Sequence, residues 1–310
     1  DASQTVRDRL NAMVMQYRNQ VVETGHSARF DDLDAMIGLG VKAVRYPILW
    51  ETVAPETPTE LDFSWHDKSL EHLPARGIKV IAALVHHGSG PRYTSLIDPK
   101  FPDLLAAYAA KVARRYPWID YWNPVNEPMT TARFSCLYGH WHPHLTDIDA
   151  TFRALVNQCL AIKRSMDAIR TIVPEAKLLP TEDIGKTFAT EPLQHQAEHE
   201  NERRWLTFDL LAGRVVPGHP FYGWLRNKAA SEEVLAELAS GAATPDLIGF
   251  DHYLTSERYL DHRVERFPNV QPGSNGRQTY VDVEAVRIAK LSKQLGPRLR
   301  LKETWDRYGI

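Results

Sequence analysis

The chain has 310 residues, is 43% hydrophobic and 25% charged, and carries a formal net charge of −2 from 37 basic and 39 acidic residues. Those proportions exclude disordered, collagenous and coiled-coil chains, and so even a balance gives no sequence-wide attraction to nucleic acid or to an anionic membrane. No run of about 18 apolar residues is present to span a bilayer, the opening Asp1-Ala2-Ser3-Gln4 has no basic-then-apolar leader pattern, and the two cysteines, Cys136 and Cys159, offer neither a disulfide framework nor metal spacing, so the expected location is cytoplasmic.

Residues 1–26 read as a polar amphipathic helix with Val14, Tyr17 and Val21 on one side. From there an alternation sets in: a periodic stretch of helical length ends in Gly or Pro, and a short β-branched run follows. Asp31-Asp32 opens the first helix, with Leu33, Met36, Ile37 and Leu39 on one face, Gly38 and Gly40 end it, and Val41 to Tyr46 reads as a strand. The second unit places a helix from Asp67 with Leu70, Leu73 and Ala75, closed by Gly77, before the apolar run Lys79 to Val85. Such a run suits a strand covered on both faces. In the third unit Asp103 is placed to cap a helix carrying Leu104, Leu105, Tyr108 and Val112, ahead of a strand from Ile119 to Asn123. A long helix over about Asp149 to Ile172 precedes the strand Lys177 to Thr181. Helices near Glu198 to Ala212 and Ser231 to Ala239 precede a strand from Asp246 to Tyr253, and further helix is expected over Val283 to Leu295 and Leu301 to Tyr308.

Helix-then-strand repetition predicts a parallel sheet, either a (β/α)8 barrel or a doubly wound sheet. Neither Gly213 to Gly218 nor Gly273 to Gly276 has the spacing or the preceding strand of a nucleotide-binding loop, which favours the barrel.

Polar residues gather where the predicted strands end. Arg45 lies inside the first strand, with Trp50 and Glu51 after it; His86-His87 follows the second, Asn126-Glu127-Pro128 the third, and Glu182-Asp183 the fourth, while the last strand carries Asp251, His252 and Tyr253. In barrel enzymes the active site is built at that end. Each residue also has a structural explanation: Arg45 as a salt-bridged barrel residue, His86-His87 as a loop pair, Glu182 and Asp183 as helix caps, Tyr253 as core. Asn126-Glu127-Pro128 is the most informative segment. A Glu on a strand-to-loop turn fixed by the next Pro is rigidly held, and partial burial would raise its pKa toward that of a general acid. The neighbouring Asn can hydrogen-bond a hydroxyl beside the reacting carbon.

At these residues the sequence resembles glycoside hydrolase family 1, the β-glucosidase family of retaining (β/α)8 barrels. The segments involved are Arg45 to Trp50 with Val53 and Pro55, Leu84-Val85-His86-His87, Tyr121 to Pro128 (YWNPVNEP), Tyr138 to Pro143, and Asp246 to Tyr253, in the family's order. The resemblance implies an α/β fold, a (β/α)8 TIM barrel counted here only from its second to its sixth strand. It also implies one glycosidase-like barrel domain over residues 1–310, with residues 1–26 as an N-terminal helical extension. Glu127 is then the acid/base and Asn126 the neighbour of the sugar 2-hydroxyl. Arg45 and Tyr253 would steady the nucleophile, completing the expected catalytic set with Glu127. His86, Asn126, Trp50, Glu182 and Asp251 form the expected substrate-binding set.

Four departures stand out. Asp251 replaces an expected Asn, His87 replaces an expected Trp, the family's first strand with its sugar-binding Gln has no counterpart, and the chain reaches Arg307-Tyr308-Gly309-Ile310 without the seventh and eighth strands and the nucleophile Glu of the seventh. An open piece of barrel exposes its edges and interior. The nucleophile is therefore expected beyond Ile310, with a complementing segment or a following domain as the partner that fills the gap. The implied function is hydrolysis of β-glycosides by two carboxylates, with a small-molecule sugar or glycoside as partner and no cofactor, metal, nucleic acid or membrane. The alternative is a non-catalytic sugar-binding or regulatory protein on a decayed glycosidase barrel. A metal-dependent hydrolase, suggested by the alternation of His140, His142 and His144, is disfavoured by Pro143 between them.

Overall fold

A computed structural model describes residues 20–88, 90–241 and 243–310. Most of the helix expected over residues 1–26 therefore lies outside the described residues; Gln20–Glu23 is helical.

The predicted alternation folds into a parallel arc. Strands β1 (Ala43–Pro47), β2 (Lys79–Val85), β3 (Tyr121–Val125) and β4 (Lys177–Leu178) pair in chain order, every pair parallel. Pro180 has no N–H to give a ladder and interrupts the fourth strand, which resumes as β5 (Thr181–Asp183). A parallel bridge from Asn126 to Thr181 carries the pairing across that break. The strand β7 (Gly249–Asp251) pairs with β5, again in parallel. The expected strand from Asp246 to Tyr253 is thus shorter, and His252 and Tyr253 lie past its end.

Helices return the chain to the same end of the arc each time. They are Ser64–Ala75, Phe101–Arg115, Ile148–Arg170 and, before β7, Gln194–Arg203, Leu206–Leu211 and Glu232–Ala239. Two caps are plain in the side chains: Asp147 accepts from Ala150 N at 2.5 Å, and Ser231 accepts from Val234 N at 3.4 Å. Asp103, expected as a cap, instead pairs with Arg164 at 2.6 Å, and the helix begins at Phe101 without a side-chain cap. β2 is buried almost throughout, with Ala82, Leu84 and Val85 fully enclosed, as a parallel strand covered on both faces should be.

A second sheet stands on the loops leaving the C-terminal ends of β5 and β7. It consists of β6 (Thr187–Ala189), β8 (Arg258–Asp261), β9 (Gly273–Ser274) and β10 (Thr279–Glu284), in the order β6-β8-β10-β9. The β6–β8 pairing is parallel; β8–β10 and β10–β9 are antiparallel. The helix expected over Val283 to Leu295 is corrected here. Thr279–Glu284 is a strand, followed by the short 3-10 turns Ala285–Arg287 and Ala289–Leu291. Val281 and Val283 alternate with exposed Asp282, and that two-residue period fits a sheet with one wet face. A helix, Pro297–Tyr308, closes the described chain.

Candidate active site

β3 ends at Val125, and the next two residues are buried. Glu127 is only 2% exposed. Its backbone is left-handed, with φ 44° and ψ 65°, and its N–H donates to Thr181 O at 3.2 Å. A non-glycine residue held there carries strain of order 1–3 kcal/mol, which a fold retains where the surroundings over-determine it. Pro128 opens the short helix Pro128–Ala132 immediately afterwards and fixes the direction in which the Glu127 side chain leaves. His87, at the end of β2, is also left-handed, with φ 51°.

The Asn126 amide is oriented by two donors. Arg45 Nη1 donates to its Oδ1 at 2.6 Å and Thr181 Oγ1 donates to the same oxygen at 2.9 Å. Its Nδ2 consequently faces His87 Nε2, 3.3 Å away. The other ring nitrogen, Nδ1, lies 3.4 Å from Thr131 Oγ1, whose own hydrogen goes to the Asn126 carbonyl. This network assigns the proton of a neutral His87 to Nδ1 and leaves Nε2 as an acceptor. Burial, with His86 and Arg45 adding to it, pushes the His87 pKa down to about 4, so the ring is neutral at pH 7.

Glu127 Oε2 lies 3.4 Å from that same Nε2. Burial first, then the charges of Glu182 and Asp251, raise the Glu127 carboxyl to about 9, so it holds its proton at neutral pH. Asp251 comes from the end of β7, and its Oδ1 is 3.9 Å from Arg45 Nη2. Arg45, Asn126, Glu127 and Asp251 are therefore brought together from β1, β3 and β7. His86 stands beside them, exposed, its ring edge-on to His87 with centroids 4.4 Å apart. Tyr253 is 56% exposed, yet its phenol feels the charges of Glu127 and Asp251, which raise its pKa after burial does.

Two expected residues lie apart from this cluster. Trp50 is 1% exposed and stacks on Tyr108 in the core, with its indole N–H donating to Tyr93 Oη at 2.9 Å. Its ring is spent on packing and presents no face to a ligand. Glu182 is fully enclosed, and both of its oxygens are engaged. Oε1 accepts from Met129 N at 2.5 Å and Thr207 Oγ1 at 2.7 Å, and Oε2 accepts from Thr130 Oγ1 at 3.4 Å. It caps a helix, but the one after β3 rather than the one after its own strand. It thereby clamps the turn that carries Glu127, and burial raises its own pKa to about 7.

Two neighbours are not singled out by the sequence: Thr181, which reads there as a strand residue, and Trp141, which reads as part of a loop. Trp141 packs on His87 with centroids 4.8 Å apart and stacks on Phe134. The alternation of aromatic and His residues in Tyr138 to Pro143 was the available signal.

Buried carboxyls, a cation and imidazoles thus gather at the C-terminal ends of parallel strands, the end at which barrel proteins build their sites. The chain belongs to glycosyl hydrolase family 1, whose model matches residues 7–309. Beta-glucosidase A of Thermotoga maritima is 25% identical over 186 residues, 57% of this chain and 40% of that protein. Aryl-phospho-beta-D-glucosidase BglC of Bacillus subtilis is 24% identical over 263 residues, 76% of this chain and 53% of that protein. The chain thus spans about half the length of the curated relatives it matches. A solved Thermotoga maritima beta-glucosidase in complex with noeuromycin superposes with a TM-score of 0.69 at 19% identity, over 84% of this chain and 58% of that one. The fold is accordingly that of the (β/α)8 barrel, with five of its parallel strands described here. Among the described residues no helix is long and apolar enough to cross a membrane.

Proposed function

We propose that this chain carries the acid/base side of a β-glycoside-hydrolysing site, with Glu127 as the acid/base. The observation that carries this is Glu127 itself: buried, held in a strained backbone at the end of β3, protonated at neutral pH, and with Oε1 free of ordinary donors. A carboxyl in that state can give its proton to a glycosidic oxygen and, once charged, take one from water. Asn126 presents a fixed amide to a sugar hydroxyl, His86 offers a second polar contact, and Arg45 with Tyr253 faces the position of the partner carboxylate. Asp251 borders the same space. The substrate class is a small-molecule glycoside, handled in one barrel domain and in the cytoplasm.

The nucleophile would come from a further segment, C-terminal to Ile310 or supplied as a complementing segment or following domain. Two features support this. The carboxylates of β5 are occupied: Glu182 by the donors already named, and Asp183 by Gly185 N at 2.9 Å and Ser256 Oγ at 2.7 Å. Beyond β7, Ile248, Phe250, Leu301, Trp305 and Ile310 line a cavity of about 340 Å³, with Leu301 and Trp305 more than half exposed. Apolar surface next to an unpaired strand edge suits a further strand.

Hydrolysis of a nitrophenyl β-glucoside, by this chain together with any segment that completes it, tests the proposal. Glu127→Gln should lower kcat/KM by about 10²–10⁴-fold, the usual worth of a general acid. Turnover unchanged in that variant would refute the role. Sugar binding without turnover in the parent protein would favour the sugar-binding alternative instead.

A further inference from the structure

We propose that His87 is a positioning residue for Glu127: its Nε2 accepts the carboxyl hydrogen carried on Oε2, and so fixes both the orientation of the acid and the oxygen that holds its proton. The inference rests on the acid/base role of Glu127 and deepens it. The contact is direct, with Glu127 Oε2 3.4 Å from His87 Nε2 and the carboxyl side chain 3% exposed. Which atom carries the hydrogen follows from the neighbours of the two ring nitrogens. Asn126 cannot turn its oxygen toward His87, because Oδ1 already accepts from Arg45 Nη1 at 2.6 Å and from Thr181 Oγ1 at 2.9 Å. Its Nδ2, 3.3 Å from His87 Nε2, has only hydrogens to offer. At the other nitrogen, Thr131 Oγ1 spends its hydrogen on the Asn126 carbonyl at 3.2 Å, so it accepts from His87 Nδ1 at 3.4 Å. Both constraints give the same tautomer, Nδ1–H with a lone pair on Nε2. An ionised Glu127 would set a second lone pair against that one in a buried place, and a hydrogen on Oε2 turns the clash into a bond.

The ring is held for this contact. His86 and Trp141 pack on it, with centroids 4.4 and 4.8 Å away. Among the described residues three other than glycine have a left-handed backbone, and two of them, His87 at φ 51° and Glu127 at φ 44°, meet here. The Trp expected at position 87 has an N–H and no acceptor, so it could only donate to the carboxyl and favour its charged form. His87 in its assigned tautomer does the reverse and favours the neutral acid. The other titratable groups that bear on the pair are Arg45 from β1, His86 after β2, Glu182 and Asp183 from β5, Asp251 at the end of β7 and Tyr253 after it. A change at position 87 alone leaves all of them in place.

Imidazole nitrogen NMR on histidine-labelled protein at neutral pH, without substrate, reads the tautomer directly. The His87 signals are identified by their loss in His87→Gln and by contact with the Trp141 ring. Nδ1 should be protonated and Nε2 unprotonated. A carboxyl-carbon titration of Glu127, assigned with Glu127→Gln, supplies the second arm. In His87→Phe the Glu127 midpoint should fall by about 0.4–1 pH unit, the worth of one hydrogen bond to the neutral acid. In His87→Gln, whose carbonyl oxygen can accept, the midpoint should return to that of the unsubstituted chain, whereas a merely packing role would make the two variants alike. An Nε2–H tautomer in the unsubstituted chain, a midpoint unmoved in His87→Phe, or an equal fall in His87→Gln would overturn the proposal. The tautomer is read in the unsubstituted chain, so a variant that fails to fold leaves that arm decisive. Because no turnover is measured, a chain that behaves as described but hydrolyses no β-glycoside would undo the glycosidase role and leave the His87 contact standing.

Discussion

The parallel arc and the second sheet solve the same problem, burying an apolar face, in different ways. In the arc, β2 is enclosed on both sides and belongs to one continuous core that runs from Leu33 through Trp50, Leu84 and Trp122 to the helix Ile148–Arg170. The second sheet has only a small apolar cluster of Tyr259, Val281, Val283, Ala285 and Leu291, and while β8 buries Tyr259, Leu260 and Asp261 in succession, β10 keeps Asp282 on an exposed face. The arc can therefore hold Glu127 in a strained backbone, because many packed neighbours oppose its relaxation. The second sheet, with its smaller apolar cluster, can vary at lower risk to the fold.

If that contrast is right, Trp50→Ala should have the largest effect on stability. The ring is fully buried among Tyr93, Phe101 and Tyr108. Truncating it leaves a cavity and an unpaired Tyr93 hydroxyl, a loss of about 3–5 kcal/mol by urea titration. Hydrogen exchange should quicken through β1 to β3 while β8 and β10 change less. Equal loss of protection in both sheets would show that they unfold as one unit and would end the contrast.

Gly249→Ala should come next. Gly249 lies where β7 meets β5, and a Cβ there would stand 2.3 Å from Thr181 Cγ2 and 3.0 Å from Leu179 Cδ2. Thr181 is β-branched and donates to Asn126, so it cannot swing away freely. The expected cost is about 1–3 kcal/mol, the usual range for overpacking. The variant should also shift Asp251 relative to Glu127, seen as a changed carboxyl titration. A stability matching that of the unsubstituted chain would mean that β7 already sits further from β5 than described.

The two regions also differ in how far they were legible in the sequence. Lys79 to Val85 announces itself, since seven residues with one charge at the edge admit little besides a buried strand. Asn126-Glu127-Pro128 was equally readable as a rigid carboxyl at a strand end. What could not be read was the register. Thr181 orders Asn126 only because β5 lies beside the end of β3, and Glu182 reaches Met129 for the same reason. Trp50 shows the opposite error: its place after a strand suggested a site, but a large ring with a nearby Tyr partner gains more from burial. In the second sheet, Val281 and Val283 alternate over too few residues to outweigh the helical appearance of the segment that follows.

Arg258→Ala should have the smallest effect, and it probes the second sheet directly. Arg258 Nε donates to Asp282 Oδ1 at 2.8 Å across β8 and β10, with Glu284 3.8 Å from Nη1. The Asp282 side chain is 49% exposed, so water and salt screen the pair, and its removal should cost under about 1 kcal/mol. The Glu127 titration should stay where it was, because Arg258 is not among the charges that act on that carboxyl. A loss above about 2 kcal/mol would exceed what an exposed pair supplies. It would mean that the second sheet braces the ends of β5 and β7, and that the strain at Glu127 is opposed from both sides rather than by the barrel core alone.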